Sequence, residues 1–238
     1  MHPKLHPTDC DWVIERLDWG SCDVGTCIPQ GFEQYLRILH PAHRHAANGH
    51  AVPVLWCDIA SANGCTMAEV MRRFSVGGLP SEFGSIESEE REHGGTAMWQ
   101  RAPGIGSLPG GLCMRLVSVL TKHTQTPASS ILGIWDGYGG VLYPPDEIGM
   151  MDLPFLRRLY LYQRPLSAVM RTFQFHGSRS YRAPNLWWPA DRSWCVATEI
   201  DYAWTYVGGT DACIAEIAAD RMFESLPARI DEGNYLER

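Results

Sequence analysis

Four side chains in the last third of the chain have the types needed for covalent or acid–base chemistry: His176, Cys195, Glu199 and Asp201. Glu199 and Asp201 stand two residues apart, so on one face of a strand their carboxylates lie roughly 7 Å apart. That separation suits paired acid–base groups or a divalent cation. Cys195 would share the face, and His176 is the histidine that could turn it into a thiolate nucleophile. Such a pocket would do hydrolase-like chemistry on a small molecule. The plainer reading is solubility for the carboxylates and a structural thiol for Cys195, because nothing in its sequence surroundings lowers its pKa.

A second constellation is built for recognition rather than reaction. The stretch from Arg182 to Arg192 sets Trp187 and Trp188 between Pro184 and Pro189, with Asn185 before them and Asp191 after. Two adjacent tryptophans in a proline-stiffened segment are hard to bury together. An exposed ring flanked by Arg182, Asn185, Asp191 and Arg192 would make a hot spot for a protein partner or a small apolar ligand. The alternative is that both rings cover the end of a sheet as a lid on the core.

Other clusters are weaker. His40, His43, His45 and His50 could hold a transition metal if their loop folded back, but they read as solvated residues of a Gly-containing surface loop. Cys10, Cys22 and Cys27 offer only a loose C-x₄-C pair at 22 and 27. Neither metal nor cofactor is expected. Gly104, Gly106, Gly110 and Gly111 precede a helix as a phosphate-cradling loop would, yet lack the Lys-Ser/Thr ending, and read as a flexible connection. At Gly208-Gly209-Thr210, Asp211 brings a negative charge that would repel phosphate and serve the helix dipole.

The elements that must position these residues follow from spacing. Thr66 and Glu69 form a capping box ahead of Met67, Val70, Met71 and Phe74, and Gly77-Gly78 would end that helix. Leu112, Leu116, Val119, Leu120 and His123 mark another, stopped before Pro127. Thr210 caps a last helix carrying Ile214, Ile217, Ala218 and Met222. Residues 31–40 are expected to pair with 52–59, and 131–135 with 138–143 about the Asp136-Gly137 turn. Residues 155–162 read as a strand, with Ser167 capping a short helix after it. Residues 193–206 read as one long strand, with Trp194, Val196, Ile200, Tyr202 and Trp204 on its buried face. Helices and strands without a βαβ rhythm predict an α+β fold, a mostly antiparallel sheet with helices packed on it. One globular domain over 1–238 is expected, with a mobile surface excursion over 85–111.

Composition excludes several classes. A net charge of −7 argues against a nucleic-acid partner. No apolar run approaches the roughly 20 residues of a membrane span, and no secretory signal opens the chain. Eight scattered cysteines, with no C-x-x-C pair, fit reduced thiols in a cytoplasm.

Several motifs together resemble a group of actinobacterial-type proteins that has no assigned activity. They are His40-Pro41-Ala42, His123-Thr124, Trp135-Asp136-Gly137-Tyr138-Gly139, Asn185 to Pro189, Asp191-Arg192, Trp194 to Asp201 and Tyr206 to Gly209. The resemblance implies a bacterial cytosolic setting and carries no catalytic role. The Trp-Asp-Gly-x-Gly hairpin in an α+β setting is also similar to the SUKH class of toxin-immunity proteins. The expectation is a non-enzymatic binding protein, with the small-molecule enzyme as the alternative.

Overall fold

The computed structural model describes residues 8–21, 23–75 and 98–233. Its frame is an eight-stranded antiparallel sheet, built from β1 (Gln34–Leu39), β4 (Ser130–Trp135), β6 (Gly149–Leu153), β7 (Arg157–Arg164), β10 (Leu186–Pro189), β11 (Cys195–Ala197), β12 (Trp204–Gly209) and β13 (Ser225–Ala228). The order across the sheet is β13-β1-β12-β11-β10-β4-β7-β6. Two small sheets accompany it: β2 (Ala42–His45) with β3 (Ala51–Val54), and β5 (Val141–Leu142), β8 (Phe173–Phe175) and β9 (Tyr181–Arg182). The α+β expectation holds.

Helices cover both faces of the main sheet, so successive strand residues enter two different cores. One core takes Leu39, Leu186, Trp188, Cys195, Ala197, Trp204 and Tyr206 from the strands, under α1 (Thr8–Ile14), α2 (Trp56–Ala62) and α3 (Met67–Ser75). The other takes Leu36, Ile38, Leu132, Trp187, Val196 and Val207, under α4 (Gly110–Leu120), α5 (Val169–Thr172) and α6 (Asp211–Ala219). Trp187 and Trp188 therefore point to opposite faces and both are buried. The expected exposed ring is absent because β10 is an interior strand with a core on each side.

Local chemistry explains the helix boundaries. Thr66 N–H donates to Glu69 Oε2 at 2.7 Å and Glu69 N–H to Thr66 Oγ1 at 3.3 Å, the reciprocal box that starts α3. Thr210 Oγ1 accepts from Cys213 N–H at the start of α6. At α2 the cap comes from across the fold: Glu224 accepts from Trp56 N–H at 2.6 Å and from Cys57 N–H at 2.7 Å. Arg37 is buried with Trp204 and Tyr206, its Cζ 5.4 and 5.2 Å from their ring centroids, and it pairs with Glu232 at 3.4 Å.

Several pairings differ from the sequence expectation. β1 lies between β12 and β13, and the hairpin next to it is β2–β3, so residues 56–62 form α2 rather than a strand. β4 is flanked by β7 and β10, which leaves no edge for residues 138–143; β5 pairs with β8 instead. Asp136-Gly137 still turns the chain, and Gly137 is required because a Cβ there would lie 2.3 Å from the Trp135 ring. Residues 193–206 are two paired strands, β11 and β12, joined by a loop, and Gly208 and Gly209 belong to β12. The strand expected at 155–162 runs over Arg157–Arg164, and the turn of helix at Leu166–Ala168 has no side-chain cap from Ser167. His40 is buried, not solvated. From residue 98 the expected excursion is built into the fold: Trp99 is buried and Gly110 opens α4. Cys22, Gly77-Gly78 and residues 85–97 lie outside the described residues.

Candidate ligand pocket

Where β10 and β11 end beside β4 and β7, the aromatic face of the sheet stops short of its cover. The space left is a cavity of about 200 Å³. Trp135, Leu153, Pro154, Phe155, Leu159, Leu186, Ala197 and Tyr202 give it apolar walls, and Arg157, Glu199 and Asp201 bring charge to it. Phe155 sits in the left-handed region at φ 60°, ψ 33°, and leaves 57% of its surface exposed. A bulky residue in that conformation costs on the order of 1–3 kcal/mol, strain that concentrates at ligand sites.

Arg157 organises the charged side. Its Nε donates to Glu199 Oε1 at 3.1 Å and its Nη2 to Asp201 Oδ2 at 2.6 Å, while the Asp201 N–H donates back to Glu199 Oε2 at 2.5 Å. Its Cζ lies 5.8 Å from the Trp135 ring centroid. Glu199 and Asp201 thus meet, as their spacing predicted, but on the β11–β12 loop and both clamped by one guanidinium. Both carboxylates therefore already have a charge-assisted partner in Arg157.

A hydrogen-bonded layer supports the pocket. Asn185 Oδ1 accepts from Trp135 N–H at 3.0 Å, and Asn185 Nδ2 donates among Gly106 O, Tyr138 Oη and Thr198 O at 2.9–3.0 Å. Gly106 has φ +73°, and a Cβ there would stand 2.5 Å from Ile200 O, so only glycine fits. Next to this layer His40 Nδ1 lies 2.6 Å from Gly104 O, and its Nε2 lies 2.9 Å from Thr205 Oγ1, itself 2.7 Å from Thr198 Oγ1. Burial pulls the His40 pKa down to about 4, so the imidazole is neutral near pH 7. A neutral ring facing a carbonyl carries its proton on Nδ1 and accepts from Thr205 at Nε2.

The remaining sequence candidates scatter. Cys195 is fully buried and burial pushes its thiol far up, while His176 is exposed in the β8–β9 turn, so the two form no nucleophile pair. Cys27, at the pocket wall, is raised by burial to about 12. Asp191 is drawn into a local turn: burial opposes its charge, yet hydrogen bonds from Thr124, Ser193 and Gln125 outweigh it and hold the pKa below the usual value. Arg192, at φ 57°, lies over Trp12 at 5.4 Å. Of the recognition residues, Asn185 reaches the pocket, Arg182 lines a separate groove, and Trp187 and Trp188 are core. Sequence reasoning missed Trp135, Phe155, Arg157 and Tyr202 as site residues. The Trp135-Asp136-Gly137 motif was the available signal, since its glycine exists to let the ring lie close.

Among the described residues, no three His, Cys, Asp or Glu side chains are grouped to hold a metal ion, and no helix is long and apolar enough to cross a membrane. Fold and pocket together define an α+β protein with an antiparallel sheet covered on both faces and one apolar cavity at its strand ends. Comparison with protein-family models, curated proteins and solved structures finds no match for this chain.

Proposed function

We propose that this is a non-enzymatic binding protein that takes a small apolar ligand, of about one ring, in the Trp135–Phe155–Tyr202 cavity. The carrying observation is a cavity of about 200 Å³ with apolar walls and a strained, exposed phenylalanine at its lip. A space of about 150 Å³ is enough to hold benzene, and this pocket, open to solvent at Phe155, exceeds it. Arg157 works against the enzymatic alternative, because it occupies both carboxylates that a hydrolase-like mechanism would need. The unpaired thiols of Cys57, Cys65, Cys113, Cys195 and Cys213 support a reducing, cytoplasmic setting. The resemblance to actinobacterial-type sequences supports a bacterial one, and the similarity to immunity proteins supports binding over catalysis.

The test is ¹⁹F NMR of fluorobenzene titrated with the protein. Wild type broadens the resonance saturably, and Leu153→Trp, which fills the cavity from β6, removes the effect. Equal broadening by both proteins, or none by wild type, would sink the reading.

A further inference from the structure

A second concave surface lies over the start of α4. It is an open groove of about 680 Å³, lined by Arg101, Arg182 and His43 with Ile105, Phe175 and Tyr181, and it ends on Pro109-Gly110-Gly111. Among the described residues no Asp or Glu lines it. Elsewhere in this chain of net charge −7, Arg37, Arg115, Arg157, Arg158, Arg164 and Arg229 meet carboxylates. Among the described residues Arg101 and Arg182 form no ion pair.

Arg182 is held ready, its Cζ 3.9 Å from the Tyr138 ring centroid and 5.3 Å from that of Phe175. Stacking fixes the plane of a guanidinium while its edge N–H groups stay free to bind, the geometry that suits phosphate. Arg101 Nη2 stands 3.4 Å from His43 Nδ1. Below them α4 begins without a side-chain cap and without an acid in its first turn, so its leading N–H groups point outward with no intrahelical acceptor. Ile105 and Tyr181 are exposed on the same groove, an apolar platform beside the cationic end.

We propose that the groove binds an organic phosphate, with the phosphate on Arg101, Arg182 and the first N–H groups of α4, and the apolar part on Ile105, Phe175 and Tyr181. The groove shares no lining residue with the apolar cavity.

The test is calorimetric titration of the full chain, in phosphate-free buffer, with phenyl phosphate, inorganic phosphate and phenol. Phenyl phosphate binds, inorganic phosphate competes with it more weakly, and phenol gives no heat. Arg101→Gln, at a surface side chain, weakens phenyl phosphate at least tenfold. Gly111→Asp separates binding from folding: a Cβ there meets nothing within 4 Å, and an acid in the first turn favours the helix. That variant therefore keeps or raises Tm while abolishing phosphate binding. Phenol binding as tightly as phenyl phosphate, or unchanged affinity in both variants, would overturn the proposal.

Discussion

The two faces of the main sheet are filled with different material. Under α4, α5 and α6 the filling is largely aliphatic, with one tryptophan pair, Trp187 and Trp194, at 5.4 Å. Under α1, α2 and α3 aliphatic residues also predominate, but five buried tryptophans, Trp12, Trp56, Trp99, Trp188 and Trp204, stand among them: Trp12 meets Trp188 edge to face at 5.8 Å, Trp56 meets Trp204 at 6.4 Å, and Arg37 lies among the rings. The small apolar cavity lies on the aromatic side. Each face of the sheet thus borders a concave site, the small cavity on the tryptophan-rich side and the open groove over the start of α4 on the other.

Truncating one tryptophan on each face gives the largest test of this contrast. Trp187→Ala and Trp188→Ala each cost about 3–5 kcal/mol, with Trp187→Ala the larger, because an eleven-residue helix covers that face while the seven-residue α1 next to Trp188 can settle into the gap. Urea midpoints measure both; a larger loss at Trp188 would show that the short α1 cannot settle into the gap.

Acid is the next probe, through His40. Its folded pKa of about 4 lies below the unfolded 6.5, so between those values the unfolded chain holds more protons and stability falls as pH drops. The loss is on the order of 3 kcal/mol from pH 7 to pH 4. Urea titrations at several pH values would show it, and His40→Gln should flatten the slope. An equal slope in the variant would assign the effect elsewhere.

Asn185→Leu comes third, at about 1–3 kcal/mol, because it removes the Asn185 partner of Trp135 N–H and of Thr198 O, while Gly106 O keeps its bond from Tyr138 Oη. Arg157→Gln is smallest, under about 1 kcal/mol, since its carboxylates are partly solvated. Both are read from thermal melts, and a cost at Arg157 above that at Asn185 would make the charged rim, not the Asn185 layer, the support of the pocket.

Legibility in the sequence tracked how local the cause was. The Thr66/Glu69 box and the Thr210 cap lie within four residues of what they cap, and both were readable. Helix α2 was not, because Glu224, far along the chain, supplies its cap. Alternation over 193–206 misled because both faces of β11 and β12 are buried, so no residue there had to be polar on one side. The Glu199–Asp201 pair was readable as a pair. Its clamp, Arg157, comes from β7, and no local pattern links the two segments.

One short segment touches both proposed sites. Gly104 and Ile105 wall the phosphate groove, while Gly106 N–H donates to Tyr202 O and Gly106 O accepts from Asn185, both residues of the apolar cavity. Occupancy of the groove that shifts these three residues also changes affinity in the cavity. Reciprocity then requires the cavity's ligand to change phosphate affinity by the same factor, so a single coupling constant, measured from either side, describes heterotropic communication through a three-residue wall.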